Sequence, residues 1–263
     1  MVESELSAML SSDDRHWWYR GRRRVLRALL SRLTVPDGAE LLDAGCGSGR
    51  TLDELEAFGH VTGVDVSHQA VATARARGHR NVLVAPLEQL PFATARFDLI
   101  TCLDVLEHTP DDRRTLSALR RVTRPGGRLI VTVPAYPSLW SAHDEANRHY
   151  RRYRRRSLLD AALATGWTVE SSTHFNSLLL APAAMIRRAG RRRPPGSERS
   201  DLALTAPWAD GALELPSRFE AALLRRGGRL PAGLSLLAVL RNDQPLPINR
   251  LAPPSPSIER IVA

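Results

Sequence analysis

The sequence predicts an α/β fold built on a parallel sheet, and three observations carry that prediction. Apolar runs with strand character alternate with stretches of helical periodicity through residues 40–133. The first run leads into a turn with three alternating glycines, Asp43-Ala44-Gly45-Cys46-Gly47-Ser48-Gly49. The second run ends in an acid, Asp65, about 20 residues past that turn.

The elements follow in order. Residues 1–34 read as helical, because Trp17, Trp18, Val25, Leu26, Leu29, Leu30 and Leu33 recur at spacings near 3.6. Pro36-Asp37-Gly38 ends that pattern. Strands are expected at Glu40–Asp43, Val61–Val66, Asn81–Ala85, Phe97–Leu103 and Arg128–Val133. Helices are expected between them at Thr51–Ala57, Ser67–Arg77 and Asp111–Val122. Arg124-Pro125-Gly126-Gly127 turns the last helix into the fifth strand. A polar and aromatic loop, Ala135–Tyr153, comes next. A helix near Ser157–Thr165, a strand Trp167–Ser172 and an apolar helix Phe175–Arg188 follow it. Arg191–Asp210 reads as an exposed excursion, Leu213–Arg226 as a helix and Leu234–Arg241 as a strand. The tail from Asp243 is proline-rich and expected to be disordered or draped over the surface.

Composition bounds the function classes. With 43% apolar and 25% charged residues, a chain of 263 residues can bury an ordinary core. No apolar run approaches the ~18 residues needed to span a bilayer. The N-terminus lacks a basic segment followed by an apolar one, so a cytoplasmic, soluble protein is expected. Two cysteines, Cys46 and Cys102, exclude a disulfide scaffold and read as small packing residues. The net charge is +9 with no lysine, so every basic residue is arginine. The arginines cluster at Arg22–Arg24, Arg151–Arg156 and Arg187–Arg193, which favours anionic partners.

The glycine turn carries the most chemistry. Glycine lets a backbone turn tightly and approach a ligand with no Cβ in the way. The spacing is GxGxG and not the dinucleotide GxGxxG, and no lysine follows to make a phosphate-binding P-loop. Taken with VTGVDVS, LEQLPF, FDLITCLDVLEH and RVTRPGGRLIVTVP, in that order over residues 39–134, the chain resembles class I S-adenosylmethionine (SAM)-dependent methyltransferases. Within that family it looks like bacterial small-molecule enzymes with a type 11-like domain. The resemblance implies a Rossmann-like sheet of seven mostly parallel strands with helices on both faces. It further implies a helical N-terminal lid and a helical insertion before the last strand. By position, Asp43, Gly45, Cys46, Gly47 and Gly49 would lie at the methionine and ribose parts of SAM. Asp65, with Val66 beside it, would hold the ribose hydroxyls. Leu87 would meet the adenine and Leu103 the methionine end. One departure stands out: Pro86 occupies the place where relatives commonly carry an acid for the adenine amino group, leaving backbone groups or Glu88.

Candidate acceptor-side residues fall in two clusters. Asp104, Glu107 and His108 sit at i, i+3 and i+4, which would put them on one helical face. Such a triplet can bind a metal, but no metal is assigned, because helix capping and one substrate-facing histidine account for it. The loop after the fifth strand is dense in bases, aromatics and arginines. His143 is the first candidate for a general base, followed by His149 and His108. Trp17, Tyr19, Tyr136, Trp140, Arg148 and Arg152 are candidates for substrate binding.

The expected organisation is an N-terminal helical cap (1–36), a SAM-binding domain (37–175), a helical insertion capping the substrate (176–230), the last strand (231–243) and a flexible tail (244–263). The expected activity is SAM-dependent methyl transfer to a small, secondary-metabolite or lipid-linked, anionic acceptor. An RNA methyltransferase is the alternative raised by the arginine runs, with no base-amino motif to support it. A catalytically silent SAM-binding protein is the other. The stripe Phe175, Leu178, Leu179, Pro182, Met185 and Ile186, with arginines after it, would either cap the cleft or rest on anionic lipid. A monomer or homodimer is expected.

Overall fold

The computed structural model describes residues 7, 9–10, 12–14, 16–190 and 210–243. The excursion 191–209, with Arg191–Arg193, and the tail from residue 244 lie outside the described residues.

Seven strands form one sheet: β1 (Ala39–Ala44), β2 (Gly59–Asp65), β3 (Val82–Val84), β4 (Phe97–Leu103), β5 (Thr123–Pro134), β6 (Thr168–Phe175) and β7 (Ser235–Arg241). Their spatial order is β3-β2-β1-β4-β5-β7-β6. The first five strands run parallel, and β7 is antiparallel to both β5 and β6. The chain builds outward from β1 through β2 to β3, then returns to lay β4 against the other side of β1. That reversal opens a crevice at the carboxyl ends of β1 and β4, where ligands bind in open parallel sheets.

Helices cover both faces, because the central strands are apolar on both sides. On one face Leu42, Ile100, Leu129 and Val131 pack with Leu116, Leu119 and Val122 of α4 (Asp112–Val122) and with Leu158 and Ala162 of α6 (Arg155–Ala164). On the other, Leu41, Leu99, Ile130 and Leu237 pack with Val25, Leu26, Leu29 and Leu30 of α1 (Trp17–Leu30). Two short crossover helices, α2 (Arg50–Leu55) and α3 (His68–Ala76), close the β1–β2–β3 half. Ser67 caps α3 and Asp111 caps α4, each side chain accepting from a first-turn amide. Helix α5 (Ala142–Ala146) lies in the loop after β5. Helices α7 (Leu180–Gly190) and α8 (Asp210–Arg225) precede β7.

Three expectations are corrected. Arg124–Gly127 is not a free turn but a bulged start of β5, with the register shifting between Phe97 and Leu99. Phe175 ends β6, fully buried, so the apolar stripe begins only after Asn176, a residue at φ +58° that breaks the chain out of the strand. Asp104, Glu107 and His108 do not share a helical face. Only a single 3₁₀ turn forms, Leu106–His108, and Asp104 stands before it at φ +57° with its carboxylate accepting from Arg22 and Thr132. Among the described residues no helix is long and apolar enough to cross a membrane.

Phe97 is fully buried and meets Phe92 edge to face at 5.0 Å. Phe97→Ala should therefore lower unfolding free energy by ~3–5 kcal/mol, read as a lower urea midpoint at unchanged m-value.

Candidate active site

A cavity of about 1010 Å³ opens at the carboxyl ends of β1, β2, β4 and β5. Every predicted cofactor residue except Gly49 lines it: Asp43, Gly45, Cys46, Gly47, Asp65, Val66, Leu87 and Leu103.

The glycine turn is shaped by left-handed backbone, with Gly45 at φ +85° and Gly49 at φ +87°. A Cβ on Gly45 would collide with the Val105 side chain, and one on Gly49 would come 2.7 Å from the His79 ring. Space and conformation therefore both demand glycine there. Gly47 donates its N–H to Asp65 Oδ2 at 2.9 Å, and Ser67 N–H donates to Oδ1 at 2.9 Å. These bonds fix the Asp65 carboxylate at the cavity wall. Burial raises its pKa despite them.

Asp43 ends β1 almost fully buried. Its Oδ1 accepts from Thr101 Oγ1 at 2.6 Å, whereas Oδ2 has no hydrogen-bond partner. Burial pushes its pKa up to about 6. A buried carboxylate oxygen without a partner, in a cavity, is suited to a cationic amino group. The cradle thus fits the amino-acid end, and Asp65 the hydroxylated end, of an aminoacyl nucleoside.

The N-terminal segment is pinned over this cradle. Asp13 accepts from Arg23 at 2.8 Å and from the Ser48 hydroxyl, while Asp14 pairs with Arg50 and, at 3.1 Å, with Arg77. The Arg50 hydrogen bond is the main reason the Asp14 pKa falls to about 2. Trp17, Trp18 and Tyr19 all reach the cavity lining. Arg22 of α1 donates to Asp104 Oδ2 at 2.9 Å and to the Leu103 carbonyl at 3.2 Å. Asp104 Oδ1 also accepts from Thr132 at 3.0 Å.

The acceptor side is built from the β4 and β5 loops. Glu107 is buried, its Oε2 lacks a partner, and burial together with Asp104 raises its pKa far above the usual carboxylate range. His108, His143 and His149 converge there, with ring centroids 4.6 Å apart for His108–His149 and 6.0 Å for His143–His149. Burial, then His149, lowers the His108 pKa to about 3, so this ring is neutral and too weakly basic to take a proton. His149 Nδ1 lies 2.8 Å from Asp144 Oδ1. Donor atoms of Glu107, His108 and His149 lie within 4.8 Å of one another, so the buried carboxyl and the two rings form one tight polar cluster beside the cavity.

The substrate candidates divide. Trp17, Tyr19, Arg148 and Arg152 reach the cavity, whereas Tyr136 and Trp140 do not line it. Tyr136 stacks on His174 at 5.7 Å, and Trp140 turns its Nε1 to Glu145. Arg152 is engaged by Asp144 Oδ1 at 2.7 Å and the Ala135 carbonyl at 3.3 Å, so its guanidinium fastens the loop instead of presenting a fork to a ligand. Leu179, Pro182, Ala183 and Ile186 of α7 and its approach form an apolar wall that sequence reasoning assigned only as a stripe. Glu88 lines the cavity, and its Oε1 accepts from the Thr115 hydroxyl at 3.2 Å. Both cysteines are buried thiols whose pKa burial raises, as packing residues require.

The Asp43 shift has a stability consequence. Its folded pKa of about 6 exceeds the ordinary 3.8, so the folded state holds this proton more tightly and stability falls as pH rises from 3.8 to about 6. Relative to wild type, ligand-free Asp43→Asn should match at about pH 4 and gain ~2–3 kcal/mol above about pH 7. Urea melts of both proteins at the two pH values check this.

Residues 42–131 match the methyltransferase domain family. An O-methyltransferase of Aspergillus nomiae, rstn1, is 34% identical over 117 residues, covering 41% of this chain and 52% of the relative. The ubiquinone biosynthesis O-methyltransferase of Xanthomonas oryzae is 32% identical over 145 residues, covering 49% of this chain and 60% of the relative. The chain thus spans between half and two thirds of these curated relatives. In fold it is similar to the methyltransferase solved in complex with the Haloferax volcanii Trm112 activator. That likeness has a TM-score of 0.60 at 21% identity, covering 92% of this chain and 95% of that one. Sheet order and sequence likeness agree: residues 42–131 are similar to the methyltransferase domain family, and the sheet around them has the fold of class I SAM-dependent methyltransferases.

Proposed function

We propose that the protein transfers the methyl group of SAM to a hydroxyl on a small anionic molecule with an apolar or aromatic body. The observation that carries this reading is the shared cavity. The unpartnered Asp43 carboxylate oxygen and the fixed Asp65 carboxylate stand at one side, and the histidine cluster stands at the other. SAM supplies an electrophilic methyl on a sulfonium. Asp43 would hold its amino group, Asp65 its ribose hydroxyls, and Leu87 its adenine. The chain's own contribution is mainly alignment, since methyl transfer needs the acceptor oxygen in line at ~3–3.5 Å.

The acceptor class is read from the opposite wall. Trp17, Trp18, Leu179, Pro182 and Ile186 offer flat and aliphatic surface, and the exposed Arg148 sits at its edge. Arginine beside an apolar slot favours a carboxylate or phosphate on an apolar frame. The O-methyltransferase relatives support a hydroxyl acceptor.

A lipid-borne acceptor belongs to the same reading. Leu178 and Met185 are 63% and 67% exposed while their neighbours Leu179 and Pro182 line the cavity. One side of this segment would close the cleft and the other would meet the surface that delivers the acceptor. Flotation with phosphatidylglycerol vesicles at low salt should carry the protein upward. Full retention in the soluble fraction removes the lipid-borne class and leaves a diffusible acceptor.

Titration calorimetry with SAM tests the cofactor assignment. Asp65→Ala should weaken SAM binding by ~10–100-fold through loss of two charge-assisted hydroxyl contacts, at nearly unchanged melting temperature. Absence of SAM binding by the wild-type protein at millimolar ligand would end the methyltransferase reading.

A further inference from the structure

The loop after β5 contains a second charge network that the cofactor cradle does not use. Asp144, fully buried on α5, accepts from three directions. Arg152 Nε donates to Oδ1 at 2.7 Å, His149 Nδ1 lies 2.8 Å from the same oxygen, and Ser141 N–H donates to Oδ2 at 2.8 Å. The chain closes around this group as well, with His149 N–H donating to the Asp144 carbonyl at 2.8 Å and Tyr150 N–H donating to the Glu107 carbonyl at 2.7 Å.

We propose that His149 is the general base of the methyl transfer and that Asp144, held by Arg152, is the positioning residue that fixes its tautomer. This rests on the reading of the site as a SAM-dependent O-methyltransferase. Geometry supplies the argument. Burial alone would raise the Asp144 pKa, but the hydrogen bond from His149 and the Arg152 charge outweigh it and hold the carboxyl well below its usual range. A carboxylate kept ionised can only accept, so Nδ1 of His149 must carry the hydrogen. In the neutral ring Nε2 is then the bare nitrogen, and the ring lines the cavity.

The other two histidines are placed differently. His108 is neutral and weakly basic for the reason given above. The ring nitrogens of His143 lie 3.2 and 3.3 Å from Asn147 Nδ2, an amide that cannot stabilise an imidazolium as a carboxylate does. The His149 side chain is only 6% exposed, and that of Asp144 is wholly buried, so water contributes little to the pair.

In the step, the acceptor oxygen attacks the methyl carbon and forms the O–C bond while the C–S bond breaks, its electron pair returning to sulfur. The hydroxyl proton passes to His149 Nε2 and leaves later to solvent. The Asp144 carboxylate balances the imidazolium formed in between. No oxidant or further reactant enters.

The test uses the full chain with SAM bound. ¹⁵N NMR of the wild-type histidines should show His149 as the Nδ1–H tautomer with Nε2 unprotonated, and an Nε2–H tautomer overturns the proposal. Asp144→Asn can donate to Nδ1 and should switch the ring to Nε2–H. With caffeate, a small anionic catechol, as the probe acceptor, single-turnover methyl transfer by this variant should fall by ~10²–10⁴-fold. SAM affinity and the KM for caffeate should change by less than about threefold. His149→Gln should show the same loss and, lacking the ring, no dependence on residue 144 in the double variant. If Asp144→Asn folds poorly, the wild-type tautomer and His149→Gln still decide. Active wild type with an equally active His149→Gln overturns the base assignment alone. Wild type that binds SAM and leaves caffeate unmethylated overturns the acceptor reading, and the base with it.

Discussion

Everything at the site depends on β4 returning to pair with β1 instead of continuing beyond β3. A parallel strand needs a crossover, and crossovers that run outward in both directions from β1 and β4 leave the space above those two strand ends uncovered. Asp43 and Leu103 end the two strands, with Leu41 opposite Leu99 and Asp43 opposite Thr101 in register. The Thr101 hydroxyl that satisfies one Asp43 oxygen is thus supplied by strand pairing itself. The other oxygen is left for a ligand.

The carboxylates in and beside the resulting cavity are separated by their environments. Asp104 is tied to Arg22, and Asp144 to Arg152 and His149. Asp43 and Glu107 each keep an oxygen without a partner, and burial raises both. Purely structural acids in a core are normally fully paired, because an unsatisfied buried oxygen is costly. The two that are not paired mark opposite ends of the cavity: a cradle for a cation at Asp43 and a buried carboxyl beside the histidines at Glu107. Perturbed groups concentrated in one cleft are a pattern of function more than of folding.

The segments that cover that cleft are tethered by ion pairs as well as by apolar burial. Asp13 and Asp14 hold the N-terminal segment over the glycine turn, and Arg22 holds α1 to the β4 end. Arg20 and Arg24 pair with the buried Glu214 of α8, which ties the late helix to the early one. Such polar contacts open at lower free energy than packed aliphatic ones. A cleft enclosed by them can admit a nucleoside-sized ligand without unfolding the layers beneath. The arginine-rich composition is in part explained this way, since Arg22, Arg23, Arg24 and Arg152 each serve a buried or half-buried carboxylate, and Arg50 and Arg77 share the exposed Asp14.

The sequence by itself determined the alternation of strands and helices, the glycine turn and the acids at the ends of β1 and β2. These are local: apolar runs, glycine and a strand-end carboxylate are readable because neighbours in sequence cause them. The same reading singled out His108, His143 and His149, and the fold brings their rings together. Ranking them required knowing that Asp144 meets His149, and that the fold buries His108. Tertiary structure also turned Tyr136 to His174 and Arg152 to Asp144, although both sit in a loop dense with ligand-like side chains. Likewise the i, i+3, i+4 spacing of Asp104, Glu107 and His108 implied one face. A left-handed residue before a single 3₁₀ turn separated them. Charge partners are set by elements distant in sequence, and a buried carboxylate chooses the cation that the fold brings to it.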